Sequence, residues 1–183
     1  ADGIQLRAKD IPDDRLFAMA VEFVEICREM GTLSVINDRA DIAAAAGADG
    51  VHLGQNDLPV EQVRRIQLSP LIIGKSTHSL KELEAALPGR PSYVSLGPAF
   101  PTATKPDIEI VGTDYIRQGL GVLAETGISH VAIGGITIDN VEQVVRAGAQ
   151  RIAVCDAVTK VSDSTEACQR LKDKLIKALG EPE

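Results

Sequence analysis

Short apolar runs alternate with longer amphipathic stretches along the whole chain. Runs at residues 4–6, 32–36, 50–53, 71–74, 93–96, 130–133 and 151–154 predict buried parallel strands, because such strands are almost continuously apolar. Helical periodicity follows each run, at residues 12–30, 38–46, 60–68, 79–87, 114–126, 140–147 and 164–179. The pattern therefore predicts seven βα units, with no linker between them.

Helix ends carry their own signals. Ser79 and Asp139 are candidate N-caps of the fourth and sixth helices. Glycine recurs before strands, within residues 46–50, 125–127 and 147–151, where it predicts a left-handed cap. Such regularity favours a (β/α)₈ TIM barrel over an open doubly wound sheet.

Seven units are one short of a barrel, which normally needs about 250 residues. We therefore expect residues 1–183 to form a single TIM-barrel domain whose first βα unit is missing before residue 1. An open-sheet nucleotide binder is the weakest alternative, because no Gly-x-Gly-x-x-Gly follows the first strand.

The composition of the chain limits the classes of molecule that it is expected to bind. The 183 residues carry a net charge of -7, which disfavours binding to nucleic acid or to anionic membranes. The three cysteines are scattered along the chain, which predicts reduced thiols. No apolar run is long enough to span a bilayer. With no signal peptide ahead of the first strand, we expect a cytoplasmic protein with small-molecule partners. The sequence is compatible with a homo-oligomer.

Two aspartates follow neighbouring strands. Asp38 comes just after the second strand and Asp57 just after the third. Each alone could simply cap a helix. Two carboxylates converging at one rim, however, suit Mg²⁺ when phosphate supplies further ligands. The pair therefore predicts a metal site for chemistry on a diphosphate.

Other polar residues also follow strands. Alternation puts Gln5, Arg7 and Lys9 on one side of the first strand, as a polyphosphate clamp or as a solvated face. His52 is either an inward polar group or a satisfied core histidine. Ser76 follows the fourth strand, where small and hydroxylated residues let a substrate approach the backbone.

Later strands add candidate phosphate contacts. The fifth strand runs into a long loop with Thr102, Thr104 and Lys105, which is typical of a lid or an anion site. Gly134 and Gly135 end the sixth strand and suit either a phosphate cup or close helix–strand packing.

Six segments together resemble the thiamine phosphate synthase family. They are residues 5–9, 37–39, 52–57, 74–78, 102–105 and 133–136, and they match Gln-Leu-Arg-x-Lys, Asn-Asp-Arg, His-Leu-Gly-Gln-x-Asp, Gly-x-Ser-x-His, Thr-x-Thr-Lys and Ile-Gly-Gly-Ile. One motif alone is weak, but six in the family's order across residues 3 to 158 are specific.

The resemblance implies a role for each matched residue. The pyrimidine diphosphate would be held by Gln5, Arg7, Lys9, Asn37, Ser76 and Lys105, and its departure would be assisted by Arg7, Lys9, Ser76 and Lys105. Mg²⁺ would bind Asp38 and Asp57, and the thiazole phosphate would contact Thr102, Thr104 and the Gly135 backbone. The family has a hydrophobic–Ser pair where this chain has Cys155 and Asp156. We expect that change to weaken the acceptor site or alter the acceptor pose.

The resemblance thus implies Mg²⁺-assisted transfer of a pyrimidinylmethyl group from diphosphate to a thiazole nitrogen. One alternative is a related barrel that isomerises a thiazole phosphate, which should lack the metal aspartates. Another is a non-catalytic phosphate-binding remnant, which would bind the pyrimidine diphosphate without turnover.

Overall fold

Strands and helices alternate through the chain, as the hydrophobic pattern predicts. A computed structural model describes residues 1–66, 70–102 and 108–180. The strands are β1 Gly3–Leu6, β2 Leu33–Asn37, β3 Gly50–Leu53, β4 Ile72–Thr77, β5 Tyr93–Leu96, β6 Ser129–Ile133 and β7 Ile152–Ala153. The helices are α1 Asp13–Glu29, α2 Ala40–Ala46, α3 Val60–Ile66, α4 Leu80–Ala86, α5 Gly112–Leu123, α6 Val141–Arg146, α7 Asp156–Thr159 and α8 Ser164–Gly180, with a 3₁₀ turn at Leu87–Gly89.

The chain forms two compact units. The first comprises residues 1–76 and 86–93, and the second comprises residues 77–85 and 94–183. In the first unit, β1, β2, β3 and β4 lie side by side in chain order, and each pairs in parallel with the next. In the second unit, β6 pairs in parallel with β7.

Apolar side chains from the strands and helices of the first unit form its core. Helix α1 buries Leu16, Ala20, Val24 and Cys27, which share one face because they recur every three to four residues. They pack towards strand residues such as Ile36 and Val51, which are fully buried. Each such aliphatic side chain contributes roughly 1.5–3 kcal/mol when buried.

Apolar side chains from the strands and helices of the second unit are also buried. Val94 and Leu96 of β5 are fully buried, as is Ile116 of α5. A Cβ at Gly119 would lie 3.1 Å from a Leu96 methyl group, so α5 packs closely on β5 at a glycine.

Several element ends differ from the sequence predictions. Strand β4 continues to Thr77, three residues past its predicted end. Helix α2 begins at Ala40, and α7 was not predicted. The N-cap of α6 is Asn140, so the prediction of Asp139 as its cap is wrong. The Ser79 cap is confirmed, because its hydroxyl accepts a hydrogen bond from the Glu82 N–H at 3.2 Å.

The recurrent glycines confirm the predicted left-handed turns. Gly47, Gly127 and Gly148 have φ values of 70°, 71° and 99°, in a region of backbone conformation that residues with a Cβ rarely adopt. In the parts of the chain that the structure describes, no helix is both long and apolar enough to cross a bilayer.

Candidate active site

Polar side chains gather at the carboxyl ends of β1 to β4, within the first unit. Gln5 lies near the end of β1, and Asn37 ends β2 directly opposite His52 of β3. His52 in turn faces Gly74 of β4. Because all four strands are parallel, their carboxyl ends meet at one edge of the sheet. That edge is where an α/β fold places its functional groups.

The two predicted metal ligands converge at this edge. A Cβ built on Gly54 would lie 3.0 Å from Asp57 Oδ2 and 4.0 Å from Asp38 Oδ1, so both carboxylates face the same glycine. The Gly54 N–H donates to Asp57 Oδ2 at 2.5 Å. Burial raises the pKa of Asp57, and the hydrogen bond with Asp38 and the Asp38 negative charge raise it further. A cation between the carboxylates would relieve that repulsion.

Asp38 occupies a strained backbone position. Its φ is 63°, in the left-handed region, and its N–H donates to the His52 carbonyl at 2.8 Å. The N-cap of α2 is Arg39, which makes no side-chain capping bond, so Asp38 does not cap that helix. Strained residues of this kind cluster at functional sites. The geometry thus favours the metal interpretation over the capping one for Asp38.

Two lysines accompany the carboxylates. Lys9 Nζ lies 3.4 Å from Asp38 Oδ2, and half of its side chain is exposed. Lys75 Nζ donates to the Gly54 carbonyl at 2.6 Å, and its charge partly offsets the rise in the Asp57 pKa. The sequence prediction missed Lys75. The available signal was a lysine directly after the apolar run at residues 71–74.

Arg7 and Lys9 lie beyond the strand that was expected to align them. Strand β1 ends at Leu6, and Asp10 has a left-handed φ of 62°. The predicted row of alternating side chains therefore stops at Gln5. Arg7 is exposed, whereas Lys9 reaches Asp38.

The arginine of the Asn-Asp-Arg segment joins two helices. Arg39 Nη1 lies 2.5 Å from Asp13 Oδ1 in α1, and Arg39 Nη2 lies 2.6 Å from Asp41 Oδ2 in α2. These hydrogen bonds lower the pKa of Asp13 and Asp41 and raise that of Arg39. Arg39 thus holds the two helices beside Asp38.

His52 and Ser76 form a buried pair beneath the edge. His52 Nε2 lies 2.9 Å from Ser76 Oγ, and Nδ1 lies 2.9 Å from the Tyr93 hydroxyl. The Ser76 carbonyl accepts a 2.5 Å hydrogen bond from Gln55 Nε2. His52 is therefore a buried histidine whose two ring nitrogens both have partners. Tyr93 was not among the predicted site residues.

The predicted acceptor residues lie in the second unit. Gly134 and Gly135 have φ values of 99° and 60°. A Cβ on Gly134 would lie 2.4 Å from Pro98 Cβ, and one on Gly135 would lie 2.3 Å from the Pro101 carbonyl oxygen. Close approach of the segment after β5 therefore accounts for this glycine pair. Thr102 is partly buried, and Thr104 and Lys105 lie outside the described residues.

Cys155 and Asp156 open helix α7. Cys155 is exposed, and the Asp156 carboxylate pairs with Lys160 Nζ at 2.9 Å. That ion pair partly compensates the negative charge of Asp156.

The strand-end motifs agree with a known family. The thiamine monophosphate synthase family model matches residues 1–158. The chain belongs to the thiamine monophosphate synthase family. The family membership confirms the resemblance that the six segments indicate.

Individual relatives support the assignment. A thiamine-phosphate synthase from Methanoculleus marisnigri is 42% identical over 99% of this chain and 85% of its own length. One from Prochlorococcus marinus is 40% identical over 95% of this chain, but the chain spans only 49% of that relative's length. A solved structure, described as thiamine phosphate pyrophosphorylase from Pyrococcus furiosus, matches with a TM-score of 0.88 and 34% identity. It covers 98% of this chain and 85% of that one, and the likeness confirms the predicted α/β fold of the TIM-barrel class.

Proposed function

We propose that this thiamine monophosphate synthase family member is an active transferase. It would join 4-amino-2-methyl-5-hydroxymethylpyrimidine diphosphate to a thiazole phosphate, giving thiamine phosphate and diphosphate. The observation that carries the proposal is the convergence of Asp38 and Asp57 on Gly54, with Lys9 and Lys75 beside them. Acidic oxygens flanked by cations suit a metal-bound diphosphate.

The reaction needs little proton transfer. The bond between the pyrimidine methylene carbon and the diphosphate oxygen breaks, and its electron pair leaves with the diphosphate. The electron-rich aminopyrimidine ring stabilises the cation that remains. The thiazole nitrogen then uses its lone pair to form the new carbon–nitrogen bond. The protein must neutralise the leaving group and align the acceptor, and no general base is required.

The donor set near Gly54 fits Mg²⁺. Within residues 1–66, 70–102 and 108–180, no cluster of three or more His, Cys, Asp or Glu side chains could hold a metal. Mg²⁺ is usually held by one or two carboxylates, with water and substrate phosphates completing its shell. We assign Asp38 and Asp57 as those carboxylates. When bound, Mg²⁺ would supply positive charge to the departing diphosphate.

The remaining roles in the proposal follow the family motifs. The diphosphate substrate would be held by Gln5, Arg7, Lys9, Asn37, Ser76 and Lys105, of which Arg7, Lys9, Ser76 and Lys105 would assist its departure. The thiazole phosphate would contact Thr102, Thr104, the Gly135 backbone, Cys155 and Asp156. We also propose a cytoplasmic location, supported by three free cysteines, the state that reducing compartments maintain.

Calorimetric titration with the pyrimidine diphosphate, with and without Mg²⁺, tests the metal site. We expect Mg²⁺ to tighten binding by about tenfold or more, the scale of a hydrogen bond to a charged group. Asp38→Asn should lose that increase. Asparagine removes the charge but tolerates the left-handed backbone at this position, so the variant should keep its fold.

Asp114→Asn is the matched control. Asp114 is an exposed aspartate in the first turn of α5, paired with Arg117 at 2.7 Å, and it lies outside all six motif segments. This variant should keep the full Mg²⁺ effect. An equal Mg²⁺ effect in Asp38→Asn and the control would contradict the assignment.

A further inference from the structure

A partly buried chain of hydrogen bonds ends at the proposed substrate ligand Ser76. The Tyr93 hydroxyl lies 2.9 Å from His52 Nδ1, and His52 Nε2 lies 2.9 Å from Ser76 Oγ. His52 is 7% exposed and Ser76 is 4% exposed. The rings of His52 and Tyr93 also stack, with centroids 5.5 Å apart and an angle of 28° between their planes. Burial makes each of these hydrogen bonds costly to lose.

Gly74 makes room for this arrangement. It pairs with His52 in the sheet. A Cβ at Gly74 would lie 2.2 Å from Tyr93 Cζ, 2.4 Å from its hydroxyl oxygen and 2.5 Å from His52 Nδ1. Any side chain there would separate Tyr93 from His52, so the hydrogen bond requires glycine.

Two proton arrangements fit the distances. In one, Tyr93 donates to Nδ1 and His52 Nε2–H donates to Ser76. In the other, Ser76 donates to Nε2 and Nδ1–H donates to Tyr93. The second is the pattern of a serine activated by a histidine as a nucleophile. The two arrangements therefore imply opposite uses of Ser76.

Chemistry favours the first arrangement. A phenol is more acidic than the serine hydroxyl, so it is the better donor and the weaker acceptor. Burial raises the pKa of Tyr93 to about 12, which keeps its proton in place at neutral pH. With Tyr93 donating to Nδ1, a neutral ring carries its proton on Nε2. Ser76 Oγ then accepts from His52, and its own proton can point elsewhere.

We propose that Tyr93 and His52 are positioning residues that fix the Ser76 hydroxyl as a hydrogen-bond donor to an anionic oxygen of the diphosphate substrate. The inference rests on the proposed function for the identity of that substrate. It assigns Ser76 to binding and excludes it as a nucleophile, because Nε2 already carries a proton and cannot accept the one from Ser76.

The proton arrangement can be measured without any substrate. Nitrogen NMR of the ¹⁵N-histidine-labelled chain distinguishes protonated from unprotonated ring nitrogens. Substituting His78 and His130 in turn assigns the three histidines. We expect His52 to carry its proton on Nε2, with Nδ1 unprotonated and accepting the hydrogen bond from Tyr93. A proton on Nδ1, in whatever charge state of the ring, would overturn the inference.

A matched pair of variants tests the consequence for binding. Tyr93→Phe removes the phenol that orients His52. Tyr115→Phe removes a phenol that donates to Thr77 Oγ1 at 2.7 Å instead. We expect Tyr93→Phe to weaken pyrimidine diphosphate binding by about tenfold, as for one misdirected hydrogen bond to a charged group. We also expect it to shift the His52 nitrogen signals.

The outcomes separate this inference from the proposed function. Tyr115→Phe should bind the pyrimidine diphosphate within about twofold of the unmodified chain, since no ligand contact is lost. Equal affinities for Tyr93→Phe and Tyr115→Phe would overturn the inference. If the unmodified chain binds no pyrimidine diphosphate, the proposed function fails, and the NMR measurement still decides the proton arrangement.

Discussion

Replacing Gly74 with alanine should destabilise the protein more than its size suggests. The added methyl carbon would lie 2.2 Å from Tyr93 Cζ, where ordinary contacts begin at 3.4 Å. Gly74 is buried and hydrogen-bonded in β4 opposite His52, so the backbone has little freedom to move away. The aromatic rings must therefore move, and the hydrogen bond between them must break.

The expected cost follows from those two effects. Overpacking a filled core costs about 1–3 kcal/mol. Each buried hydrogen bond lost from the Tyr93–His52–Ser76 chain costs about 0.5–1.5 kcal/mol more. We therefore expect Gly74→Ala, with the Tyr93–His52 hydrogen bond lost, to lower the free energy of unfolding by about 1.5–4.5 kcal/mol. That is a large share of the roughly 5–15 kcal/mol of a typical domain.

Urea unfolding followed by circular dichroism measures the effect. Gly121→Ala is the control, because Gly121 lies inside helix α5 and an added Cβ would have no atom of another described element within 4 Å. Alanine there should stabilise the protein by about 0.5–1 kcal/mol, since glycine is a poor helix former. An unfolding midpoint for Gly74→Ala equal to that of the unmodified chain would refute the reasoning about close approach.

Two further substitutions test charges near the motifs. Arg39→Gln should lower the urea midpoint at pH 7, and the difference should vanish as the pH falls below about 4. The reason is that Arg39 lowers the folded-state pKa of Asp13 and Asp41, so the stability that Arg39 contributes is lost when the two carboxylates are protonated. A difference in urea midpoint that persists at pH 2 would contradict this reasoning. Asp156→Ser should lower the KM for the thiazole phosphate by removing a repelling carboxylate, without changing the KM for the pyrimidine diphosphate, and equal changes in both would contradict that reasoning.

The fold was largely predictable because burial is encoded locally. Strands β3 and β5 have the predicted bounds, since each is a short apolar run ended by a turn residue. The end of β4 was not predictable from hydrophobicity, because it ends in polar residues. Thr77 is fully buried there, donating to the Ser95 carbonyl at 2.9 Å and accepting from Tyr115. Only tertiary partners make such a residue part of a strand.

The candidate site was predictable in residue type but not in its contacts. Strand ends and motif order indicated Asp38 and Asp57, whose convergence the geometry supports. Lys75 and Tyr93 were missed, because their importance depends on which atoms the sheet register brings together. The left-handed backbone of Asp38 was also invisible in the sequence. Register and backbone strain are properties of the fold, so a residue pattern does not reveal them.

Turnover by the intact chain tests the central claim most directly. The protein would be incubated with the pyrimidine diphosphate and the thiazole phosphate, with Mg²⁺ or with a chelator, and the products would be quantified by mass spectrometry. We predict thiamine phosphate and diphosphate in equal amounts, only with Mg²⁺, and a large loss of product in Asp57→Asn. Tight binding of the pyrimidine diphosphate with no thiamine phosphate formed would contradict the claim and identify the chain as a binding remnant.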